Sequence, residues 1–277
     1  MNRRWRVLRS NRAALFGGCL IAVFALVAIF ADLIATSDPE LRQDDLLAPP
    51  SAEYWLGTDQ NGFDVFSRLV YGTRSSLLTA LAAVSLAVLV GLPLGLLAGW
   101  RGGWVDSLIM RCVDVMLAFP AVLLAVAIAA AIGEPSLTTV VIAVAVVLVP
   151  PFIRQVRAAV LQVKALDYVT AARALGVPPI RIVFMTVLPN CFAPILVLAT
   201  LGIGIAILDA AGLSFLGLGP PETSPEWGVM LQKAMLYVQG KEQWIVLPPG
   251  LAISLTVLGF NLFGDGLRDA FDPRSSQ

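Results

Sequence analysis

Histidine is absent from the 277 residues of this chain. Its absence excludes imidazole metal ligands, histidine proton relays and the base of Ser-His or Cys-His catalytic pairs. The three cysteines, Cys19, Cys112 and Cys191, lie in or beside apolar runs without paired spacing. A disulfide framework or a structural zinc site is therefore not expected.

Three other patterns are missing as well. The sequence has no Gly-x-x-x-x-Gly-Lys-Ser/Thr phosphate loop, so the chain is not expected to hydrolyse ATP itself. It has no carboxylate pair at helical spacing inside an apolar run, which argues against intramembrane hydrolysis. It has no basic stripe with stacking aromatics, so nucleic acid is not an expected partner.

Charged residues are scarce, at 14% of the chain, whereas hydrophobic residues make up 58% and the mean hydropathy is +0.82. No water-soluble domain of this length can bury that much apolar surface, so the bilayer is expected to act as the solvent. A membrane-spanning helix needs about 20 apolar residues. The sequence therefore predicts an all-α, polytopic membrane protein with six transmembrane helices, at residues 13–35, 76–100, 113–132, 137–156, 192–217 and 244–262.

Basic residues are unevenly distributed among the segments that join these runs. Five arginines lie within residues 1–12 and five basic residues lie between 154 and 181, whereas 36–75 is rich in Asp and Glu. The positive-inside rule then predicts that both termini, 1–12 and 266–277, and the segment 157–191 are cytoplasmic. The resulting organisation is a first helix at 13–35, an extracytoplasmic loop at 36–75 and a core of five transmembrane helices at 76–265.

The first run has an alternative interpretation as a secretory signal peptide, because it is apolar and follows basic residues. We favour a transmembrane helix. The run is longer than a usual signal core, and it lacks a convincing small-x-small cleavage site.

A short polar segment, DYVTAARALG, begins at Asp167 and has the pattern of a capped helix. Asp167 can cap or charge the start of the helix, and Gly176 with the two prolines that follow stops it. Because an Arg or Lys at the bilayer centre costs about 2.5 to 3.5 kcal/mol, this basic region is expected to lie outside the membrane. Ala171 and Ala172 form a face that another surface can approach closely, and Arg173 can reach acidic groups on it. Taken alone, such a segment would be an ordinary loop.

The spacing of this segment resembles the Glu-Ala-Ala loop of ABC importer permeases. Thr170, Ala171 and Ala172 are followed by Gly176 and then by Leu188-Pro189, although Thr170 stands where the family often has Glu. Further stretches resemble the peptide and nickel subfamily, namely LGTD at 56–59, GFD at 62–64, LSFLGLG at 213–219, EWG at 226–228 and NLFGDGLRD at 261–269. They follow one another in the expected order, and the ending is most similar to the second permease of dipeptide importers.

The resemblance implies the type I ABC importer permease fold and a role in importing dipeptides or oligopeptides across the bacterial inner membrane. It implies a complex with a homologous permease as a heterodimer, two ATPase subunits and an extracytoplasmic substrate-binding protein, surrounded by membrane lipid. The polar segment would be the coupling helix that docks on an ATPase subunit. The residues implied in this contact are Asp167, Thr170, Ala171, Ala172, Arg173, Gly176, Leu188 and Pro189. The chain itself would be non-catalytic and hold no cofactor, since ATP and Mg would bind the partner subunits.

Two positions depart from the subfamily pattern. Phe63 replaces the Arg usually found in Gly-Arg-Asp, and the stretch before Leu188 lacks the frequent His. The first departure removes any salt bridge that the Arg makes in relatives.

Asp209 lies deep in the fifth run, with Gly212 three residues later. An ionisable residue inside a span is a functional candidate by default. Asp209 is expected either to line the pathway and meet a peptide amino group or to shape a gate at the permease interface, and the sequence leaves both open. In the third run, the spacing of Arg111 and Asp114 predicts an ion pair on one helix face.

Two alternative functions remain. A nickel or other small-solute importer would use the same architecture, although the absence of histidine weakens direct metal handling. An ion-gradient secondary transporter belongs to a different class. It would require coupling charges at the midplane and usually an internal repeat, and the sequence shows no repeat.

Overall fold

The structure, a computed structural model, describes residues 3–237 and 240–271, so the ends of the predicted tails 1–12 and 266–277 lie outside the described residues. Within these ranges the chain forms helices and no β-strand. The helices are α1 (Arg3–Ser10), α2 (Arg12–Ile29), α3 (Ala31–Ile34), α4 (Val65–Arg101), α5 (Gly103–Leu117), α6 (Ala121–Ile132), α7 (Leu137–Lys164), α8 (Asp167–Ala174), α9 (Pro179–Ile182), α10 (Leu188–Phe215), α11 (Trp227–Ala234) and α12 (Gln243–Phe271). A π-helical turn (Val183–Val187) joins α9 to α10, and a 3₁₀ turn (Met235–Tyr237) follows α11.

Five helical segments in the described part of the chain are long and apolar enough to cross a membrane. They are α2, α4, α7, α12 and the continuous segment Pro179–Phe215. A sixth passage exists if α5 and α6 are counted together, but these two helices meet at a bend of 94°. The predicted third span at 113–132 is therefore not one helix. It breaks at Pro120, which has no N–H to continue the hydrogen-bond ladder.

The boundaries of two other spans also differ from the prediction. Helix α4 begins at Val65 rather than at 76, because the Asp64 carboxylate caps it by accepting the Ser67 N–H at 2.9 Å. The predicted loop 36–75 is therefore shorter than expected and ends at residue 64, because residues 65–75 belong to α4. At the other end of the molecule, the predicted loop 157–191 consists largely of helix, since α7 continues to Lys164 and the fifth passage already begins at Pro179.

The centre of the fold is the parallel pair α4 and α7, which pack closely along a stripe of glycines. A Cβ built on Gly91, Gly95 or Gly99 would lie 2.6 to 2.8 Å from the Cβ atom of Phe152, Val156 or Val160. Small residues four apart on one helix face permit this close approach, and dispersion contacts then hold helices together in lipid. The sequence analysis did not single out this stripe, although its spacing is visible in the sequence.

Helix α2 packs against α12 through a second close contact, where a Cβ on Gly17 would lie 2.7 Å from the Gly259 carbonyl oxygen. Nearby, the Asn11 side chain donates a hydrogen bond to Asp269 at 3.2 Å. The start of α2 and the end of α12 therefore lie at the same end of the molecule, called here the terminal end. Because α4 and α7 finish at this end and α10 starts there, α8 and α9 also lie at the terminal end.

The opposite end, called here the far end, carries the ordered segment 35–64. The Thr58 hydroxyl donates to the Asp45 carbonyl at 2.7 Å and accepts the Ala48 N–H at 2.8 Å, which fixes the middle of this segment. Gly57 and Gly62 have φ values of 73° and 80°, a conformation that favours glycine. The segment around Trp55 is thus ordered, and the Trp55 ring lies 4.9 Å from the ring of Phe66 in α4.

The packing of α4 on α7 leads to a stability prediction. Gly95→Ala is expected to lower the stability of the folded chain by about 1–3 kcal/mol, because its methyl group would overlap Val156 and the Ile153 carbonyl. The measurement is the melting temperature of the purified protein in detergent. Gly202→Ala is the matched control, since a Cβ there has its nearest neighbour at 3.7 Å. Equal melting temperatures for the two variants would contradict the packing argument.

Candidate functional site

Helix α8 is a two-turn helix at the terminal end whose ends follow from its sequence. Asp167 occupies the first turn, and the preceding Leu166 forms the N-cap without a side-chain hydrogen bond. Asp167 therefore does not cap the helix; its charge favours the helix start through the dipole instead. The helix stops at Gly176, whose φ is 75°, and the Val177 N–H donates to the Ala172 carbonyl at 3.1 Å.

One face of α8 is packed against the rest of the chain. Val169 is fully buried, and Ala172 is partly buried beside the same cluster. The cluster is formed by apolar residues of α7, α8, α9, the π-helical turn and α10, namely Val156, Ala159, Val160, Val163, Val169, Ile182, Val187, Cys191 and Ile195. Helix α8 is thereby fixed to the ends of two long helices.

The other face of α8 is exposed. Thr170, Ala171 and Arg173 are exposed, and Leu175 is 84% exposed. The predicted pairing of Ala171 with Ala172 on one accessible face is thus only half present, because Ala172 turns toward the cluster.

Exposed apolar side chains follow α8 in the chain, on α9 and on the π-helical turn. Ile180 is 69% exposed, Phe184 57% and Met185 70%. A cavity of about 490 Å³ lies beside them, between the end of α4 and α9. These side chains belong to the segment Pro179–Phe215, which is apolar enough to cross a membrane, so lipid accounts for their exposure as well as a partner protein does.

Two cations attach this region to α4. The Lys164 ammonium donates to the Trp100 carbonyl at 2.6 Å, where it satisfies the end of α4. The Arg173 guanidinium lies 4.7 Å from the centroid of the Trp100 ring, a cation–π contact. Arg173 was predicted to reach a partner; in the structure it also holds α8 against α4.

Leu188 and Pro189 are not loop residues. They form the first turn of α10, where Leu188 is half-buried and Pro189 is exposed. Val187, just before them, belongs to the same apolar cluster as Val169 of α8. The two halves of the predicted motif are therefore brought together by this cluster.

Two ion pairs that the sequence analysis missed connect α5 to α7. Arg157 donates from Nε and Nη2 to the two oxygens of the Asp106 carboxylate, at 2.5 and 2.6 Å, and Arg154 binds Asp114 at 2.6 Å. The prediction that Asp114 pairs with Arg111 is therefore wrong. Spacing along one helix cannot reveal a partner 40 residues away.

At the far end, the buried Glu226 caps α11 by accepting the N–H groups of Gly228 and Val229, both at 3.0 Å. The Ser76 hydroxyl of α4 donates to the same carboxylate at 3.2 Å. Burial raises the pKa of Glu226, while these hydrogen bonds oppose the shift. Beside it, the buried Trp227 ring donates to the Leu69 carbonyl at 3.1 Å. The predicted motif at 226–228 thus fixes α11 onto α4.

Phe63 lies at the centre of the same far-end region and is fully buried. The Arg68 guanidinium lies 4.3 Å from the centroid of its ring, and Arg42 lies at 5.4 Å. Arg68 also donates to the carbonyls of Glu222 and Ser224 at 2.7 and 3.0 Å, which joins the segment before α11 to α4. The Phe63 ring is thus held by cation–π contacts with two guanidinium groups.

Asp209 and Gly212 lie in the part of α10 nearer the far end. Asp209 is half-buried, and no described residue forms a hydrogen bond or ion pair with it. A Cβ built on Gly212 would meet no atom within 4 Å. The structure therefore places these two residues beside open space and away from α8.

Comparison with known proteins gives consistent matches. A family model described as the binding-protein-dependent transport system inner membrane component matches residues 91–277, and one described as the N-terminal TM domain of oligopeptide transport permease C matches residues 1–50. The dipeptide transport system permease protein DppC of Alkalihalophilus pseudofirmus is 49% identical over 271 residues, which are 98% of this chain and 88% of that protein. The di/tripeptide transport system permease protein DppC of Pseudomonas aeruginosa is 48% identical over 98% of this chain and 91% of its own.

A solved structure of an inward-facing conformation of the MetNI methionine ABC transporter aligns with a TM-score of 0.61. The alignment covers 74% of this chain and 96% of that chain at 20% identity. At this identity the likeness bears on the fold alone.

The far-end contacts lead to a prediction about Phe63. Phe63→Leu is expected to destabilise the chain by about 2 kcal/mol or more, because it removes a desolvated cation–π contact while leaving Arg68 buried. The measurement is the melting temperature, with Phe184→Leu as the control because Phe184 is 57% exposed. A melting temperature for Phe63→Leu as high as that of the control would contradict the role given to the ring.

Proposed function

Because this chain belongs to the family of binding-protein-dependent transport system inner membrane components and has the type I ABC importer permease fold, we propose that it carries dipeptides or oligopeptides across the bacterial inner membrane. The observation that carries the proposal is the exposed face of α8 at the terminal end. This face holds Thr170 and Ala171 with no covering element from the described part of the chain.

The contacts of α8 support its role as a coupling helix. Val169 is buried in the cluster shared with α7, and Arg173 and Lys164 both contact Trp100 at the end of α4. Because α4 and α7 are closely packed, a force applied to α8 is transmitted to both helices together. The ion pairs of Asp106 and Asp114 with α7 extend this transmission to α5.

The proposed partners follow from the surfaces that the chain leaves open. Two ATPase subunits would supply ATP and Mg, since this chain has no phosphate loop, and one of them would dock on α8. A homologous second permease would complete a heterodimer. An extracytoplasmic substrate-binding protein would dock at the far end, where Arg68 and Ser76 of α4 hold the segment 222–226 that precedes α11.

The proposed orientation places the terminal end in the cytoplasm. Asn11 and Asp269 meet there, and the basic residues of α1, α7 and α8 lie at the same end. This distribution follows the positive-inside rule. The far end, with its acidic segment before α4, then faces the extracytoplasmic side.

Alternating access would consist of reorientation of these packed helices when the ATPase subunits close around ATP. Binding energy released at the partner subunits has to reach the pathway through the helices that contact α8. The close contact of α4 with α7 favours movement of these two helices as a unit. The chain turns by 94° at Pro120, between α5 and α6, so these two helices do not form one straight span.

The coupling role leads to a prediction for the exposed face of α8. Ala171→Arg is expected to leave expression and melting temperature unchanged but to reduce peptide uptake at least about tenfold, because a long cation would prevent close approach of the ATPase subunit. The measurement is peptide uptake and ATP hydrolysis by the assembled complex in proteoliposomes.

Ser10→Arg is the matched control, since Ser10 is exposed at the terminal end but lies on α1. Ala171 is preferred to Ala172 because Ala172 is partly buried, so that its substitution would also disturb the fold. Normal uptake by Ala171→Arg would contradict the docking of α8.

The cargo is tested by ATP hydrolysis of the complex in nanodiscs, with binding protein added together with dipeptides, longer peptides or nickel. We expect stimulation by peptides and no stimulation by nickel, in keeping with the dipeptide and di/tripeptide permeases that this chain resembles. Stimulation by nickel alone would replace peptide by metal as the cargo. Solute uptake by this chain without any ATPase would instead support an ion-gradient transporter.

A further inference from the structure

One face of α10 is covered only in part by the rest of the described chain: Leu201 on this face packs against Gly264 of α12, whereas the part nearer the far end is more open. Six residues along it alternate at spacings of four and three, and each of them is half-buried or exposed. They are Pro194, Leu198, Leu201, Ile205, Leu208 and Gly212. This repeat keeps them on one side of the helix, whereas Ala206 and Leu213 are buried on the other side.

Asp209 adjoins the part of this face nearest the far end. Ile205 is 48% exposed and Leu208 50% exposed, so the side chains that flank the carboxylate are only partly covered by this chain. An ionised carboxylate is not stable against lipid hydrocarbon, and such residues face a bundle interior or a water-filled cavity. This end of the face is therefore covered in the assembled transporter by water, solute or another subunit.

The carboxylate also has no internal partner. Other acidic residues near the membrane are bound by arginines, as Asp106 is by Arg157 and Asp114 is by Arg154. No described residue forms a hydrogen bond or an ion pair with Asp209. Its charge is available to a cation from outside the chain.

Because Gly212 has no side chain, it leaves space on the helix surface for a bound cation. It lies three residues from Asp209, on the neighbouring part of the helix surface, and a Cβ there would meet nothing within 4 Å. The surface of α10 one turn from Asp209 is thus open at Gly212.

We propose that Asp209 binds the α-ammonium group of the peptide during its passage and so selects cargo with a free amino terminus. The inference rests on the proposed function, in which the cargo is a peptide. Ammonium and carboxylate form charge-assisted hydrogen bonds that are stronger than neutral ones. A carboxylate in the pathway would offset the loss of hydration that the peptide's positive charge suffers there.

The test uses the complete complex with its binding protein in proteoliposomes, with labelled dialanine as the probe. Asp209→Asn keeps the size and hydrogen-bonding capacity of the side chain but removes its charge. Its initial rate of uptake is expected to fall at least about tenfold, the effect of losing a hydrogen bond to a charged group. ATP hydrolysis stimulated by peptide-loaded binding protein is expected to stay within about twofold of wild type.

Asp209→Glu restores the charge and is expected to recover a substantial part of the uptake. Glu134→Gln, which removes an exposed carboxylate outside the spans, is the matched control and is expected to behave as wild type. Uptake by Asp209→Asn at the wild-type rate would overturn the proposal. Loss of complex assembly or of stimulated hydrolysis in Asp209→Asn would also overturn it, because the residue would then serve the contact between subunits. A wild-type complex that takes up no dialanine would mark failure of the proposed function instead.

Discussion

The close contact between α4 and α7 is the constraint on which the other features depend. In a bilayer no hydrophobic effect drives helices together, so their association relies on how closely their backbones approach. Gly91, Gly95 and Gly99 allow that approach, and they determine which residues of α7 face α4. Once the two helices are packed together, their neighbouring ends provide the contacts for α8, through the apolar cluster of α7 and through Trp100 of α4.

Charged residues in this chain serve mainly to attach elements at the two ends of the helices. Lys164 and Arg173 hold α8 against the end of α4, and Arg68 holds the segment before α11 at the far end. Each of these cations binds carbonyls or an aromatic ring rather than a carboxylate. Such contacts avoid the desolvation of a second charged group that a buried ion pair requires.

The sequence predicted the local features well and the distant contacts poorly. The extent of α8 was predictable because helix formers and the stop at Gly176 are encoded within ten residues. The start of α4 at Val65 was not recognised, because the polar residues of its first turns look like a loop until Asp64 is seen to cap them. The partner of Asp114 is 40 residues away, and no periodicity relates the two positions.

The exposed faces of α8 and α10 are the ones to which the proposed function assigns a role. Helices α8 and α10 each have one exposed face. The opposite face of each is packed against the rest of the chain, through the buried Val169 in α8 and the buried Ala206 in α10. A rigid helix with one open face binds a partner at low entropic cost, because little of it has to be ordered on contact. In the proposed function these faces serve the ATPase contact and the pathway, and the packing of α10 against α4 and α7 links the two. The proposed coupling between them therefore requires no flexible segment, only the movement of helices that are already packed together.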